Sequence, residues 1–474
     1  MEADYYSRFS ADSQLRRSLD TRHGVALVVS NVIGAGIFTT PAIVAALVPS
    51  ATAMLAIWAA GGILALCGAV SYAQLSRLSP NAGGEYAYLS RAFGPLAGFL
   101  SGWISLIAGF SGAIAASAVA LVSYFAHFLP ALASERVLAS FSLHFLAVSI
   151  TWRLVAAVAV IVFFGVLHSS GLTGGKITQT ALAMGVLGMI SAFIVTGFAF
   201  GSGSWDHMSL HAERYRGINL LLALVPIMFA YSGWNAAAYV SEEMRNERKT
   251  GRALLIGTVV VMVVYSALNV LFIYALPIRD LKANINVGDV AARALFGAAG
   301  SFLTAVMVLA LLGAISAMTF SGPRVYFAMA RDGVFIPSLA RTSKKTGVPL
   351  LAIALQTLWS IALVVLGSFE QILMYTGFAI VLSSAVAVLG LFVIRGSVYK
   401  RGAFFSGTVA PLLFVLVSAA ITISVVLKAP TTALAGVGLI AAGIPVFGWS
   451  RRNSTASKEM RLYPAESPEL MECE

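Results

Sequence analysis

The 474-residue chain carries little charge, and this scarcity decides its class. Only 11% of its residues are charged and 59% are hydrophobic, whereas an average soluble domain has about 25% charged residues. So few charges cannot solvate the surface of a globular protein of this length, which excludes a soluble protein. Disorder is excluded as well, because disordered chains combine high charge with few apolar residues. With a mean hydropathy of +0.87, most of the chain must be surrounded by lipid.

Cysteine is equally scarce. Cys67 lies in an apolar run and Cys473 in the C-terminal tail, so no disulfide framework is possible. No cysteine is predicted on the outer face, which argues against an accessory subunit linked by a disulfide. The first 23 residues contain no apolar segment before a cleavage site, so we predict no cleaved signal peptide. The net charge of +11 is expected from Lys and Arg on the cytoplasmic face rather than from a nucleic-acid-binding surface.

Long apolar runs are abundant. A helix that crosses the bilayer needs about 20 mostly apolar residues. Alternating ten-residue segments, typical of membrane β-barrels, are absent. The sequence therefore predicts an all-α membrane protein with twelve transmembrane helices. The predicted spans are approximately 24–48, 51–75, 95–128, 152–168, 174–200, 219–241, 252–276, 298–329, 349–367, 372–394, 408–427 and 431–449.

Lys and Arg in the loops and tails predict the orientation of these spans. With the N-terminus inside, the cytoplasmic segments hold 23 of these residues and the opposite face holds 8. Both termini are therefore predicted to be cytoplasmic, in a multi-pass protein of the plasma membrane. The N-terminal tail is 1–23, and the acidic C-terminal tail is 451–474, to which we assign no role.

Two of the predicted spans are interrupted near their midpoints by glycine beside small or polar residues. The first span contains residues 31–38 (NVIGAGIF) and the sixth contains residues 229–235 (FAYSGWN). Unwound backbone inside a membrane is tolerated only where it lines a cavity and its polar groups find partners. The alternative for Gly34 and Gly36 is a seam of small residues between packed helices.

The two interruptions occupy corresponding places in the chain. Spans one to five cover residues 24–200, spans six to ten cover 219–394, and helices eleven and twelve fall within 395–450. Because five is odd, the second set must run opposite to the first, which gives a 5+5 inverted repeat followed by two helices. Paired interrupted helices at the start of inverted repeats indicate the midplane binding site of a transporter.

Such a site suits a zwitterion without any charged side chain. The N-terminus of a half-helix offers free N–H groups and a positive dipole end to a carboxylate. The C-terminus of the other half offers free carbonyls to an ammonium group. The spans contain no convincing cluster of acid, base or metal-ligating residues, so we predict no metal, no cofactor and no enzymatic activity. Two alternatives remain open at this point, namely a major-facilitator-type carrier of another solute and a multi-span membrane enzyme.

Four motifs in order carry a family resemblance, which covers residues from about 20 to 395. They are residues 34–38 (GAGIF), 80–88 (PNAGGEYAY), 229–235 with the acidic pair Glu242 and Glu243, and 324–333 (RVYFAMARDG). In these the chain resembles amino acid permeases of the amino acid–polyamine–organocation (APC) superfamily, in particular the L-type-like branch. The resemblance implies a LeuT-like fold, in which helices one, two, six and seven form a bundle that moves against a scaffold.

The resemblance also implies residue roles. Backbone N–H groups of Ala35 and Gly36, with Gly34 as a further candidate, would bind the substrate carboxylate. Phe229 would be an aromatic gate, and Trp234 with Asn235 would shape or brace the pocket. Packing or lipid contact is the alternative for both aromatic residues. Carbonyls of Val32, Phe229, Ala230 and Ser232 would bind the amino group, and the full implied substrate site comprises Val32, Ile33, Gly34, Ala35, Gly36, Phe229, Ala230, Tyr231, Ser232 and Gly233.

Coupling residues are less clearly indicated. L-type-like members often carry a lysine six residues before a glutamine, but Thr173 stands six before Gln179 and Lys176 only three before. Lys176 is therefore either a substitute or an ordinary loop lysine. Ser316 and Thr319 could offer hydroxyls to sodium, although such side chains more often bond to their own helix. We expect a permease for neutral L-amino acids that works by alternating access, as an exchanger, a proton or sodium symporter, or a facilitator.

Overall fold

The computed structural model describes residues 15–34, 36–126, 128–129, 131, 134, 136–143, 146–208, 215–284, 286–366, 369–394, 405–428 and 430–453. Apart from one hairpin, the regular structure of these residues is helical. The helices are α1 (Thr21–Val32), α2 (Gly36–Leu47), α3 (Ala51–Leu78), α4 (Glu85–Phe93), α5 (Pro95–Ile104), α6 (Phe110–Phe125), α7 (Trp152–Ser169), α8 (Leu172–Phe200), α9 (Gly217–Ala230), α10 (Ala236–Tyr239), α11 (Glu247–Ala275), α12 (Ile278–Ala283), α13 (Val287–Phe296), α14 (Phe302–Ser321), α15 (Pro323–Arg331), α16 (Leu350–Leu366), α17 (Phe369–Ile394), α18 (Ala410–Lys428), α19 (Pro430–Ala441) and α20 (Gly443–Asn453).

Every predicted span coincides with helical structure. Within the described residues, eight helices are long and apolar enough to cross a membrane, or nine if the bent pair α1 and α2 is one span. Three more apolar helices are shorter, at Gly217–Ala230, Leu350–Leu366 and Ala379–Ile394. The chain is thus a multi-span helical membrane protein.

Polar residues set the start of several long helices. Ser50 precedes α3 and accepts a hydrogen bond from the backbone N–H of Ala53. Thr151 does the same for α7, as Asn246 does for α11. Each cap satisfies one of the free N–H groups that a helix start would otherwise bring toward lipid.

The long helices pack in two groups. In the first, α11 packs along both α1 and α3, and α9 packs against α2 and α3. In the second, α6 packs against α7, α14 and α16, and α8 packs against α14. The groups meet where α1 lies against α8 and α14. Of the interrupted helices, α1 therefore lies at the junction of the two groups.

A two-stranded hairpin was not predicted. Strand β1 (Val137–Leu143) pairs antiparallel with β2 (Leu146–Thr151), with a register irregularity between Val137 and Ala139. The hairpin fills the loop between α6 and α7. The expected all-α fold is therefore correct for the spans but not for this loop.

Candidate functional site

The first interruption separates α1 from α2. Helix α1 ends at Val32, Ile33 has an extended backbone with φ −76° and ψ 96°, and α2 begins at Gly36. The axes of the two helices differ by 49°. The N–H groups in the first turn of α2 have no partner within their own helix, so this end is suited to an anion. Ala35, predicted as a carboxylate ligand, lies outside the described residues.

The second interruption follows α9. This helix ends at Ala230, residues 231–235 form turns, and the four-residue helix α10 starts at Ala236. Gly233 adopts φ +101°, a left-handed conformation that glycine tolerates best. A Cβ atom there would also lie 2.8 Å from Cβ of Asn31, so the turn fits against α1 only because position 233 has no side chain.

The two interruptions touch each other. A Cβ atom added to Gly36 would lie 3.2 Å from Cα of Ala230, so the start of α2 packs directly on the end of α9. At Gly34, by contrast, an added Cβ atom would meet nothing within 4 Å. The two glycines therefore differ in their surroundings, since Gly36 permits close backbone contact and Gly34 borders open space.

One hydroxyl group joins the carbonyl ends of both interrupted helices. The Tyr265 hydroxyl on α11 lies 2.7 Å from the carbonyl oxygen of Val32 and 3.1 Å from that of Ala230. Its single hydrogen must be shared between the two acceptors or alternate between them. These are two of the carbonyls that the resemblance predicts as ligands of the substrate amino group, and in this structure the Tyr265 hydroxyl is their hydrogen-bond donor.

Sequence reasoning missed Tyr265. It lies in the middle of an apolar span, where an isolated tyrosine is most easily interpreted as packing. The ring does pack, because its centroid is 5.0 Å from that of Tyr231 and 5.9 Å from that of Trp58. Its polar role appears only when α1, α9 and α11 are placed side by side.

The remaining implied pocket residues occupy different environments. Ile33 and Tyr231 are buried, Ser232 is half-buried, and the Phe229 side chain is 46% exposed. Trp234 is buried, with its ring centroid 4.8 Å from that of Tyr72. Trp234 therefore packs against α3. The exposure of Phe229 fits both a gate and a lipid contact.

The side chain of Asn235, the last residue of the second interruption, lies in a buried polar cluster. Its side-chain amide donates to Glu85 at 2.7 Å and to the Tyr239 hydroxyl at 3.0 Å. The amide thus fixes the turn of the sixth span to the start of α4. This contact is consistent with the bracing role expected for Asn235.

The candidate coupling residues do not form one cluster. The Thr319 hydroxyl donates to the carbonyl of Ile315 in its own helix, whereas Ser316 lies 2.9 Å from Nε2 of His168. Thr173 is exposed in the first turn of α8, and Lys176 is half-buried two positions after Gly174. His168 is only 2% exposed and was not expected to contact a candidate coupling residue.

Ion pairs close the face of the protein on which Leu19 and Met244 meet, which we call the N-terminal face. Just beyond the sixth-span interruption, Glu243 contacts Arg324 at 2.6 Å, and both side chains are 1% exposed. Beside it, Arg331 donates to both oxygens of Glu242, at 2.7 and 2.8 Å. The sequence motifs at 242–243 and 324–333 therefore meet in space.

The chain before α1 strengthens this closure. The backbone N–H groups of Ser18 and Leu19 donate to the Glu243 carbonyl, each at 2.9 Å. Asp20 pairs with Lys249 at 2.5 Å and with Arg245 at 3.3 Å. The hydrogen bond from Lys249 holds the pKa of Asp20 below its ordinary value. The start of the first span is thus tethered to the end of the sixth.

On the opposite face the molecule has a cavity of about 400 Å³. It lies between the end of α6, helix α13 and the start of α14. Within the described part of the chain, no group of three or more His, Cys, Asp or Glu residues could hold a metal ion. The cavity is lined by Ala120, Ser123, Tyr124, Asn286, Asp289, Arg293, Thr304 and Met307.

A multi-span helical protein whose candidate site consists of two touching helix interruptions belongs to the class of membrane carriers rather than to enzymes. The comparison with known families is more specific. The sequence profile described as amino acid permease matches residues 19–448, so the chain belongs to this family, within the APC superfamily. Family membership decides against the major-facilitator and enzyme alternatives.

Several curated transporters are similar to this chain. The b(0,+)-type amino acid transporter 1 of Mus musculus is 28% identical over 392 residues, which cover 81% of this chain and 77% of the relative. The Asc-type amino acid transporter 1 of Homo sapiens is 26% identical over 451 residues, covering 91% and 82%. Large neutral amino acids transporter small subunit 2 of Mus musculus is 27% identical over 443 residues, covering 91% and 81%. These relatives support amino acid transport as the activity.

Proposed function

We propose that this protein is a secondary transporter that moves neutral L-amino acids across the plasma membrane by alternating access. Its twelve spans would comprise a 5+5 inverted repeat, residues 24–200 and 219–394, and two further helices, with both termini in the cytoplasm. The observation that carries the proposal is the convergence of the Val32 and Ala230 carbonyls on the Tyr265 hydroxyl. This places two helix C-termini at one point, next to the N-terminus of α2.

The arrangement matches the two charged ends of an amino acid. The free N–H groups of α2, from Gly36 onward, would bind the carboxylate together with Gly34 and Ala35. The carbonyls of Val32, Ala230, Phe229 and Ser232 would bind the ammonium group, which has three donors where Tyr265 has one. Because backbone dipoles supply this recognition, it requires no ion pair with a side chain.

The residues of the two interruptions favour substrates with neutral side chains. The described residues between 31 and 38 and between 229 and 239 include no Asp, Glu, Lys, Arg or His. The small residues Ala236, Ala237 and Ala238 follow the second interruption and carry no charge. An acidic substrate would bring a second negative charge with no basic side chain among these residues, which is costly inside a membrane. A basic substrate would find the carboxylate behind Asn235, that of Glu85, already held by four hydrogen bonds.

Alternating access is supported by the closure of the N-terminal face. The Glu243–Arg324 and Glu242–Arg331 pairs close this face, whereas the cavity on the opposite face is lined by residues outside the two interruptions. Release toward the N-terminal face would require these pairs to separate. Exchange, proton symport and sodium symport remain the candidate modes, with Lys176, Thr173, Ser316 and Thr319 as candidate coupling residues.

Uptake by the purified protein in proteoliposomes tests the proposal. A panel of labelled L-amino acids is offered with and without an unlabelled amino acid inside, and under proton and sodium gradients. We expect neutral amino acids to be taken up and basic and acidic ones to be excluded. Absence of uptake and exchange for every amino acid, under every gradient, would refute the proposal.

A further inference from the structure

Glu85 is a buried acidic residue that the proposed substrate site does not use. It is the first residue of α4 and is 4% exposed. Its Oε1 accepts hydrogen bonds from Tyr72 at 2.8 Å, Asn235 at 2.7 Å and Ser384 at 2.8 Å. Its Oε2 accepts one from Tyr239 at 2.9 Å. We call these five residues the Glu85 cluster.

Glu85 has no counter-cation among the residues that the structure describes. Among the described residues, no Lys or Arg forms an ion pair with it. Burial raises the pKa of Tyr88, which lies on the same helix, so this hydroxyl is uncharged. The other titratable groups on or near α4 have partners elsewhere. Tyr86 donates to Asp332, Arg91 donates to the Leu78 carbonyl, and Glu242 binds Arg331.

The partners of Glu85 suit two protonation states. As a carboxylate, Glu85 accepts four hydrogen bonds from one amide and three hydroxyl groups. As a carboxylic acid, it would donate to the Tyr239 or Ser384 hydroxyl, since a hydroxyl can turn and accept. The Tyr239 hydroxyl already accepts from Asn235 at 3.0 Å, so protonation of Glu85 would require the hydrogen bonds of the cluster to rearrange, whereas a lysine or arginine partner would lock the charged form.

The cluster also joins the two halves of the molecule. Tyr72 on α3 and the Asn235–Tyr239 segment belong to the predicted moving bundle, whereas Ser384 lies on α17. The loop before α4 fits closely against the same segment, because the Gly83 N–H donates to the Tyr239 carbonyl at 3.1 Å. Movement of the sixth span relative to α4 must break these contacts. Hydrogen bonds to a carboxylate are stronger than those to a neutral acid, so protonation would ease that movement.

We propose that Glu85 binds the proton that accompanies the amino acid through this carrier. The inference rests on the proposed transport function and assigns its coupling ion. Glu85 would take up one proton from the side to which the site opens and release it on the other side. Since a neutral amino acid is a zwitterion without net charge, each cycle would move one positive charge.

Proteoliposomes containing the full chain test this role with labelled L-alanine, L-leucine and L-phenylalanine. In the wild type, an acid-outside gradient of about two pH units should raise initial uptake several-fold. In Glu85→Gln, the ratio of uptake with and without the gradient should fall to about one. This ratio does not depend on how far total activity falls. Tyr326→Phe, which alters a buried tyrosine outside the cluster, should keep the wild-type ratio.

A second variant keeps the test informative if Glu85→Gln does not fold. Tyr72→Phe removes a donor to Oε1 but neither hydroxyl to which the protonated acid would donate, so it favours the protonated acid and should move the midpoint of the pH profile of uptake to higher pH. A gradient-insensitive wild type, a Glu85→Gln ratio equal to that of the wild type, or an unchanged Tyr72→Phe profile would each overturn the assignment. Failure of the transport proposal is distinguishable, because counterflow exchange needs no gradient and would then also be absent.

Discussion

Replacing Tyr265 with phenylalanine tests whether its hydroxyl occupies the place of the substrate ammonium. The substitution keeps the aromatic packing but removes the only donor that the structure shows for the Val32 and Ala230 carbonyls across the interruptions. Tyr265 is fully buried, so the carbonyls lose a hydrogen bond that water cannot readily replace. A buried polar group left without a partner costs about 1–3 kcal/mol. Without substrate, we therefore expect Tyr265→Phe to be destabilised by about this amount.

Substrate should reverse this loss. The ammonium group brings three donors to the same carbonyls, so the saturated variant should recover most of the deficit. The measurement is the shift in Tm on adding substrate to purified protein, which should be larger for Tyr265→Phe than for the wild type. Tyr326→Phe is the matched control, because Tyr326 is equally buried and donates at 3.2 Å to the Ser105 carbonyl, far from the interruptions in the sequence. Equal substrate shifts for both variants would refute the reasoning.

Three further variants address the glycine pair, the closed face and the tether. Gly34→Val should abolish uptake with little loss of Tm, because the added carbons enter space that the substrate would occupy. Arg324→Ala should lower stability by about 3–5 kcal/mol in thermal unfolding, since Glu243 would be left buried and unpaired. Asp20→Asn should lower Tm at neutral pH but not below the depressed pKa of Asp20. The Lys249 hydrogen bond lowers that pKa. The stabilisation by this bond is therefore present at pH values above the pKa of Asp20 in the unfolded chain, and it is lost as the pH falls through the lower pKa of the folded protein.

Each of these predictions has a control. Gly188→Val adds the same side chain at a glycine that likewise has open space around it, on the exposed side of α8, and should transport normally. Normal uptake by Gly34→Val would remove Gly34 from the site. A Glu243→Gln, Arg324→Met double variant should recover part of the stability, and no recovery would contradict the unpaired-charge explanation. A Tm difference between wild type and Asp20→Asn that stays unchanged as the pH falls through the titration of Asp20 would contradict the electrostatic explanation.

The sequence predicted the interrupted helices because their cause is local. Glycine beside polar residues in an apolar run is visible without a structure, and both interruptions appear where they were expected. The closeness of the two interruptions is not local. The contact of Gly36 with Ala230 and of Gly233 with Asn31 depends on how α1 and α9 pack. This contact also makes Gly36 a less suitable position than Gly34 for a substitution meant to obstruct substrate alone.

Residues whose roles depend on several helices were harder to predict. Tyr265 belongs to none of the sequence motifs. Glu85 lies in the motif at 80–88, which resembles the family but does not indicate the residues that Glu85 contacts. For Trp234 the sequence does not reveal the ring contact with Tyr72, which depends on the packing of the sixth span against α3. The hairpin at 137–151 was missed because its strands are short and lie in a loop between strongly apolar helices.

Competition for counterflow exchange tests most directly whether the site recognises both ends of an amino acid. Proteoliposomes loaded with unlabelled substrate take up the labelled amino acid while an excess of an analogue is present outside. One analogue lacks the amino group and another has its carboxylate converted to a methyl ester. If carbonyls hold the ammonium and the α2 N-terminus holds the carboxylate, the intact amino acid should compete and both analogues should fail. Competition by either analogue at the potency of the intact amino acid would contradict the account.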